Sequence, residues 1–177
     1  FIGNRSSGLQ GYALARTAVA RGAEVTLVSA NVALPDPAGV KVLRVESARE
    51  LREAVLGAAS TGAHGTAGAD AVVMAAAVAD FRPDRHSDTK IKKSSAEPDP
   101  IRLVKNPDVL AEISAERAVD GQVVVGFAAE TDEVLANGRA KLARKGCDLL
   151  VVNEVGDGNA FGQDTNSAGL RGADGPD

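Results

Sequence analysis

The chain is poor in the features that announce many common functions. It has no Trp, one Tyr and four Phe, so aromatics make up 3% of its 177 residues. Its core must be built from Ala, Val, Leu and Ile. The single cysteine, Cys147, has no partner for an internal disulfide, which points to a reducing, cytoplasmic setting. The two histidines, His64 and His86, fall in polar stretches. With one cysteine, they leave no spacing able to ligate a metal from protein side chains alone. Lys plus Arg total 20 against 24 Asp plus Glu, a formal charge of −4. That lacks the basic excess of a nucleic-acid binder. No apolar run approaches the roughly 18 residues of a membrane span, and Phe1-Ile2-Gly3-Asn4 does not read as a signal peptide. G-x-S-x-G, G-x-x-x-x-G-K-[ST] and G-x-G-x-x-G are all missing.

What is present is an alternation of apolar strands and helical segments. Residues 8–21 read as a helix stopped by Gly22. Strands follow at 24–29 (EVTLVS) and 40–45 (VKVLRV), then a helix at 48–59 with Leu51, Val55 and Leu56 on one face. After a Gly-rich loop at 60–68 comes 70–77 (DAVVMAAA), a run apolar enough for a strand covered on both faces. Residues 80–100 break the pattern: they are polar and hold three of the seven prolines. A connection of that length inside a compact domain is often a functional lid. Regularity resumes with a helix at 108–118, a strand at 122–127 (QVVVGF), a helix at 130–145 closed by Gly146, and a strand at 148–153 (DLLVVN). This order implies an α/β, Rossmann-like doubly wound, mainly parallel sheet with helices on both faces. Ligands of such sheets sit beyond the carboxyl ends of the strands.

The candidate residues follow from that rule. Ser6, Ser7 and Gly8 open the first helix, whose free N–H groups favour an anion. Ser7 and Gln10 also match a capping box, a purely structural alternative. Met74, Ala75 and Ala76 end the central strand and leave room for a flat ligand. Asp80 beyond them is a hydrogen-bond acceptor or a turn cap. Lys90-Ile91-Lys92-Lys93 lies in the polar stretch, as a solvated charge run or as charges that close on phosphates. Lys105-Asn106-Pro107-Asp108 reads as a helix entry with Pro near the first position. Phe127 stands where a base could stack, or in the core. Lys141 and Lys145, four apart, share one helix face. Cys147 reads as buried.

Asn4-Arg5-Ser6-Ser7-Gly8, Ala76-Ala77-Val78-Ala79-Asp80-Phe81, Lys90-Ile91-Lys92-Lys93, Lys105-Asn106-Pro107-Asp108 and Gly126-Phe127-Ala128-Ala129-Glu130-Thr131 occur in this order. Together they closely resemble the bacterial phosphopantothenate–cysteine ligases, the synthetase half of the bifunctional coenzyme A biosynthesis protein. The resemblance runs from Phe1 to about Asn166. It implies ligation of 4′-phosphopantothenate to L-cysteine with CTP, through an acyl-cytidylate. Mg²⁺ would arrive on the triphosphate, with no metal ligand from the protein. The resemblance carries Asn4 over as the residue that holds the intermediate, and Lys90 as the flap lysine that steadies the transferring phosphoryl group. It carries Ser6, Ser7, Gly8, Met74, Ala75, Ala76, Asp80, Lys105, Asn106, Pro107, Asp108, Phe127, Lys141 and Lys145 over as nucleotide-binding residues. It implies a homodimer, and FMN only where a flavin decarboxylase domain is fused.

In that family a strand and a Gly-rich turn precede the position of Phe1. The expectation is therefore one ligase domain over 1–177, a fragment without its first strand, with a flap over about 81–104. Two other readings compete. One is an NAD(P)-dependent oxidoreductase, which needs a ribose-reading charge after the second strand where Ala30-Asn31-Val32 has none. The other is a nucleotide-binding module without turnover.

Overall fold

The computed structural model describes residues 3–4, 6–60, 68–87, 89, 100–130, 133–154 and 168–172. Among the described residues the element order opens with helix α1 (Leu9–Ala20), then strands β1 (Thr26–Ala30) and β2 (Lys41–Val45), helix α2 (Ala48–Ser60) and strand β3 (Ala71–Met74). Short strands β4 (Phe81–Pro83) and β5 (Leu103–Lys105) precede helix α3 (Val109–Ala115), strand β6 (Val123–Glu130), helix α4 (Val134–Lys145), and strands β7 (Leu149–Glu154) and β8 (Ala168–Gly172). The α/β class expected from the alternation is the one observed. β1 and β2 pair in parallel as one sheet. The second sheet runs β3-β6-β7-β8, parallel except for the antiparallel edge strand β8.

The four-stranded sheet has two unlike faces. Strand side chains alternate, so Val72, Met74, Val124, Ala128, Leu150 and Val152 share one face. They pack with Leu51, Val55 and Ala59 of α2, Val109 and Ile113 of α3, and Leu142 of α4 into one buried cluster. Two glycines permit the close fit. A Cβ on Gly126 would fall 2.6 Å from Leu110, and one on Gly138 would fall 3.0 Å from Val152. On the opposite face α1 approaches: a Cβ on Gly11 would meet Ala75 at 3.9 Å. The buried Tyr12 hydroxyl bonds Ser29 at 2.8 Å, tying α1 to β1. Among the described residues α2, α3 and α4 thus pack on one face, and α1 approaches the other. Val73 and Val123, on the α1 side, are exposed.

Several expected boundaries move. β3 ends at Met74, so Ala75, Ala76 and Ala77 lie beyond the strand rather than in it. β6 runs on to Glu130, which takes Ala128, Ala129 and Glu130 into the strand and starts α4 at Val134 instead of 130. The helix expected at 108–118 stops at Ala115. Past it, the Arg117 guanidinium is drawn to the carbonyls of Gln122 and Gly146 and to Asp148. The stretch read as a wholly irregular flap is instead bounded by a two-stranded antiparallel ribbon, with Phe81 opposite Lys105 and Pro83 opposite Leu103. Three-residue strands carry too little periodicity to be read from sequence.

Candidate active site

The carboxyl end of β3 is where distant segments meet. Asn4 donates its Nδ2 to the Val78 carbonyl at 3.0 Å. Asn106 donates its side-chain amide to Ala79 O at 2.7 Å, and its backbone N–H to Asp80 O at 2.8 Å. Arg82 donates to Lys105 O at 2.7 Å and to Asn106 Oδ1 at 3.2 Å. The loop before α1, the segment after β3 and the turn into α3 are therefore pinned together. Asn4, Asp80 and Asn106 come together here through side chains and backbone. Asn106 acts as the clasp, because its amide is spent on protein groups.

The entry into α1 is built differently from the capping box expected of Ser7 and Gln10. Gly8 is the N-cap, in the left-handed region at φ 76, and as a glycine it has no side chain to cap the helix. The Ser6 hydroxyl accepts from Gly8 N and the Ser7 hydroxyl from Leu9 N, both at 3.4 Å. Gln10 points elsewhere: its Oε1 accepts from Asn153 Nδ2 at 3.3 Å. The left-handed turn at Gly8 sets Ser7 one residue outside the cap, so the box cannot close. Only glycine fits, since a Cβ there would lie 2.7 Å from Val32. The first turn of α1 holds no acidic residue. Its N–H dipoles therefore face no negative side chain of their own turn.

The other candidates are placed as follows. Met74 is buried in the core cluster, its side chain on the face away from α1. Phe127 is half-buried on β6 and pairs with Val151. Its register puts it on the α1 side, in the row that continues to Ala75. Asp108 caps α3 by accepting from Ala111 N at 3.2 Å, so Pro107 lies just before the cap rather than at the first helical position. Asp108 also pairs with Lys145. Burial opposes ionisation of Asp108, but Lys145, the Ala111 N–H and Arg144 outweigh it and hold its carboxyl below the ordinary range. Lys141 pairs with Glu130 at 2.7 Å. Both lysines expected to hold a nucleotide thus sit against a carboxylate. Lys90, Lys92 and Lys93 lie outside the described residues, as do Arg5 and His64.

Cys147 is buried, as expected, and burial pushes its thiol up, away from the thiolate that a nucleophile needs. Asn31, where a ribose-reading charge would stand, donates its side-chain amide to Glu46 O at 2.8 Å. Among the described residues no group of three or more His, Cys, Asp or Glu forms a metal cage, and no helix is long and apolar enough to cross a membrane. Sequence reasoning missed Arg82, Glu130 and Asn153. Each acts through a tertiary hydrogen bond or ion pair; Glu130 stood in a sequence motif without a role of its own, and Asn153 was visible only as a polar residue ending an apolar strand.

The chain is similar to known proteins along its whole length. It is 54% identical over 185 residues to the coenzyme A biosynthesis bifunctional protein CoaBC of Mycobacterium tuberculosis, covering 99% of this chain and 42% of that protein. It is 42% identical over 172 residues to the CoaBC protein of Vibrio vulnificus, covering 96% of this chain and 41% of that one. The chain thus spans about two fifths of the length of these relatives. A crystal structure of the C-terminal domain of a CoaBC protein matches with a TM-score of 0.75 and 35% identity, covering 98% of this chain and 72% of the other. The DNA/pantothenate metabolism flavoprotein from Streptococcus pneumoniae shares the fold at a TM-score of 0.70 and 15% identity. The family model that describes the DNA/pantothenate metabolism flavoprotein C-terminal domain matches residues 1–177, and the chain belongs to that family.

Proposed function

We propose that this domain is a CTP-dependent phosphopantothenate–cysteine ligase. One observation carries the reading. Asn4, the segment ending at Asp80 and the turn at Asn106, three motifs far apart in sequence, are hydrogen-bonded into one cluster at the carboxyl end of β3. That is where a doubly wound sheet holds its ligand.

In this reading the carboxylate of 4′-phosphopantothenate attacks the α-phosphorus of CTP. The bond to pyrophosphate breaks and an acyl-cytidylate forms. The deprotonated amine of cysteine then attacks the acyl carbon and CMP leaves. This chemistry requires positioning and charge neutralisation rather than a protein nucleophile. The acid-free start of α1 with Ser6, Ser7 and Gly8 receives phosphate. Asn4 holds the acyl-cytidylate. Phe127, Ala75, Ala76, Asp80 and the Met74 backbone frame the cytidine. Lys105, Asn106, Pro107 and Asp108 form the wall beside it. Lys141 and Lys145 turn from Glu130 and Asp108 toward the triphosphate, and Lys90 supplies charge at the reacting phosphorus. Mg²⁺ brought by CTP would neutralise further phosphate charge. A homodimer, cytoplasmic location and fusion to an FMN-binding decarboxylase belong to the same reading.

Pyrophosphate release measured with CTP and phosphopantothenate, with and without cysteine, tests it directly. The ligase reading expects release that rises when cysteine is added. An NAD(P) oxidoreductase or a silent nucleotide-binding module expects none. Lys90→Gln sharpens the test: kcat for cytidylyl transfer should fall by roughly 10²-fold, the scale of losing one preorganised donor. Lys92→Gln and Lys93→Gln should change little, and equal effects at all three would reject a flap lysine.

A further inference from the structure

We infer that Arg82 is a positioning residue for the nucleotide: it locks the Asn106 side-chain amide in one orientation, and through that amide it fixes the Ala79–Asp80 wall of the site. The inference rests on the ligase reading and adds to it a residue that the reading leaves out. Arg82 is the middle residue of β4, half-buried, with Val104 of β5 as its cross-strand partner. Its Nη1 donates to Lys105 O at 2.7 Å and to Asn106 Oδ1 at 3.2 Å. Asn106 Nδ2 in turn donates to Ala79 O at 2.7 Å, and the Asn106 backbone N–H donates to Asp80 O at 2.8 Å. Ala79 and Asp80 lie just before Arg82 in the chain, so the bonds close into a ring. That ring holds the corner between the segment after β3 and the start of β4.

The chemistry of its members makes the ring directional. An asparagine amide is nearly symmetric in shape, and a half-turn exchanges its oxygen for its nitrogen. A guanidinium only donates and a backbone carbonyl only accepts. Arg82 therefore tolerates only Oδ1, and Ala79 O tolerates only Nδ2. Turned over, the amide would set NH2 against guanidinium and oxygen against carbonyl. Without Arg82 the amide oxygen loses its donor, and the wall is held from one side only. Groups that frame a reacting ligand must be held to within about 0.5 Å, which takes support from behind. The ribbon itself is short, and its Phe81 and Leu103 are exposed. Its contribution is therefore local, to the site, more than to the stability of the whole fold.

The test uses the whole 177-residue chain. Arg82→Met keeps the reach and removes every side-chain donor, whereas Arg82→Lys keeps a cationic donor. CTP affinity is read by calorimetry, KM for CTP and for cysteine by pyrophosphate release, and stability by urea unfolding. Arg82→Met should weaken CTP roughly tenfold, the scale of hydrogen bonds from a charged donor, and leave KM for cysteine unchanged. Arg82→Lys should recover part of the loss. A variant that is only less stable gives fewer active molecules with the same CTP constant. An unchanged CTP constant therefore overturns the inference, whatever the unfolding curve shows. The same titrations in an Asn106→Ala background decide whether Arg82 acts through the amide. There Arg82→Met should cost about twofold more at most, because the partner it orients is already gone. The full loss in both backgrounds would make Arg82 a direct ligand contact and overturn the positioning role. So would a lysine variant no better than methionine. If the wild type binds CTP but releases no pyrophosphate, the ligase reading fails, and the CTP titrations alone decide for Arg82.

Discussion

Helices α1 and α2 begin with nearly the same sequence pattern, Ser7-x-x-Gln10 and Ser47-x-x-Glu50, yet their ends differ. At α2 the box is closed. Ser47 Oγ accepts from Glu50 N at 3.2 Å, and Glu50 accepts from the Glu46 and Ser47 N–H groups at 2.8 and 3.0 Å. Those N–H donors hold the Glu50 carboxyl below its ordinary range. At α1 the N-cap is Gly8, which has no side chain to close a box, the Ser7 hydroxyl takes only Leu9 N, the first turn has no acid, and Gly8 enters from the left-handed region. A closed end satisfies its own donors and has little to offer a ligand. An open end keeps its donors for an anion. The pattern S-x-x-E/Q alone does not separate the two cases. The residue that decides is Gly8.

The largest expected effect is therefore at Gly8. Gly8→Val places a β-branched side chain at φ 76, with its Cβ inside the van der Waals radius of Val32. Left-handed strain and overpacking together should cost roughly 2–4 kcal/mol of stability, read by denaturant unfolding. CTP binding should disappear in calorimetry under conditions where the variant remains folded. Retained binding would show that the open end of α1 is not the anion site.

A smaller and more specific effect is expected from Gln10→Glu. It keeps an acceptor for Asn153 Nδ2 and adds only a negative charge to the first turn of α1. The helix dipole should welcome that charge, raising stability by about 0.3–1 kcal/mol. The triphosphate should resist it, so CTP affinity should fall, and the loss should shrink at high salt. Opposite signs for stability and affinity are the signature. A variant that binds CTP as tightly as the wild type places the phosphates elsewhere. At α2 the converse holds. Ser47→Ala should cost about 1 kcal/mol, the usual worth of such a cap, and leave CTP affinity untouched.

How much was legible from sequence follows the same division between local and tertiary causes. β1, β2, α2 and β7 were legible because apolar runs and one helical face specify them without help from elsewhere. The antiparallel ribbon of β4 and β5 was not, since strands of three residues in a proline-containing polar stretch carry no periodicity. β6 outran its expected end because residues 127–130 are held in register by residues 151–154 of β7. The site motifs were legible as residue types at strand ends, but their partners were not. That Asn106 clasps Ala79, that Lys141 and Lys145 face Glu130 and Asp108, and that Asn153 meets Gln10 are consequences of the packed sheet.

The smallest effect concerns a third helix start, at α3, where one carboxylate does two jobs. Asp108 caps the helix through Ala111 N and pairs with Lys145. Asparagine caps a helix as well as aspartate does. Asp108→Asn therefore removes the charge and spares the cap. The Asp108 side chain is 49% exposed, so the pair contributes only about 0–1 kcal/mol. Its pH dependence identifies it. The folded carboxyl lies below its ordinary value, so the stabilisation is complete above the unfolded pKa of about 3.9 and is lost as pH falls through the lower folded pKa. Glu112 and Asp148 are lowered too, by Arg52 and Arg117, and weaken the wild type over the same acid range. The difference between the two stability curves isolates Asp108: a small gap at neutral pH that closes in acid. In the ligase reading the same variant frees Lys145 for the triphosphate, so CTP affinity should hold or rise. A fall in affinity would mean that the Asp108 carboxylate itself contacts the ligand.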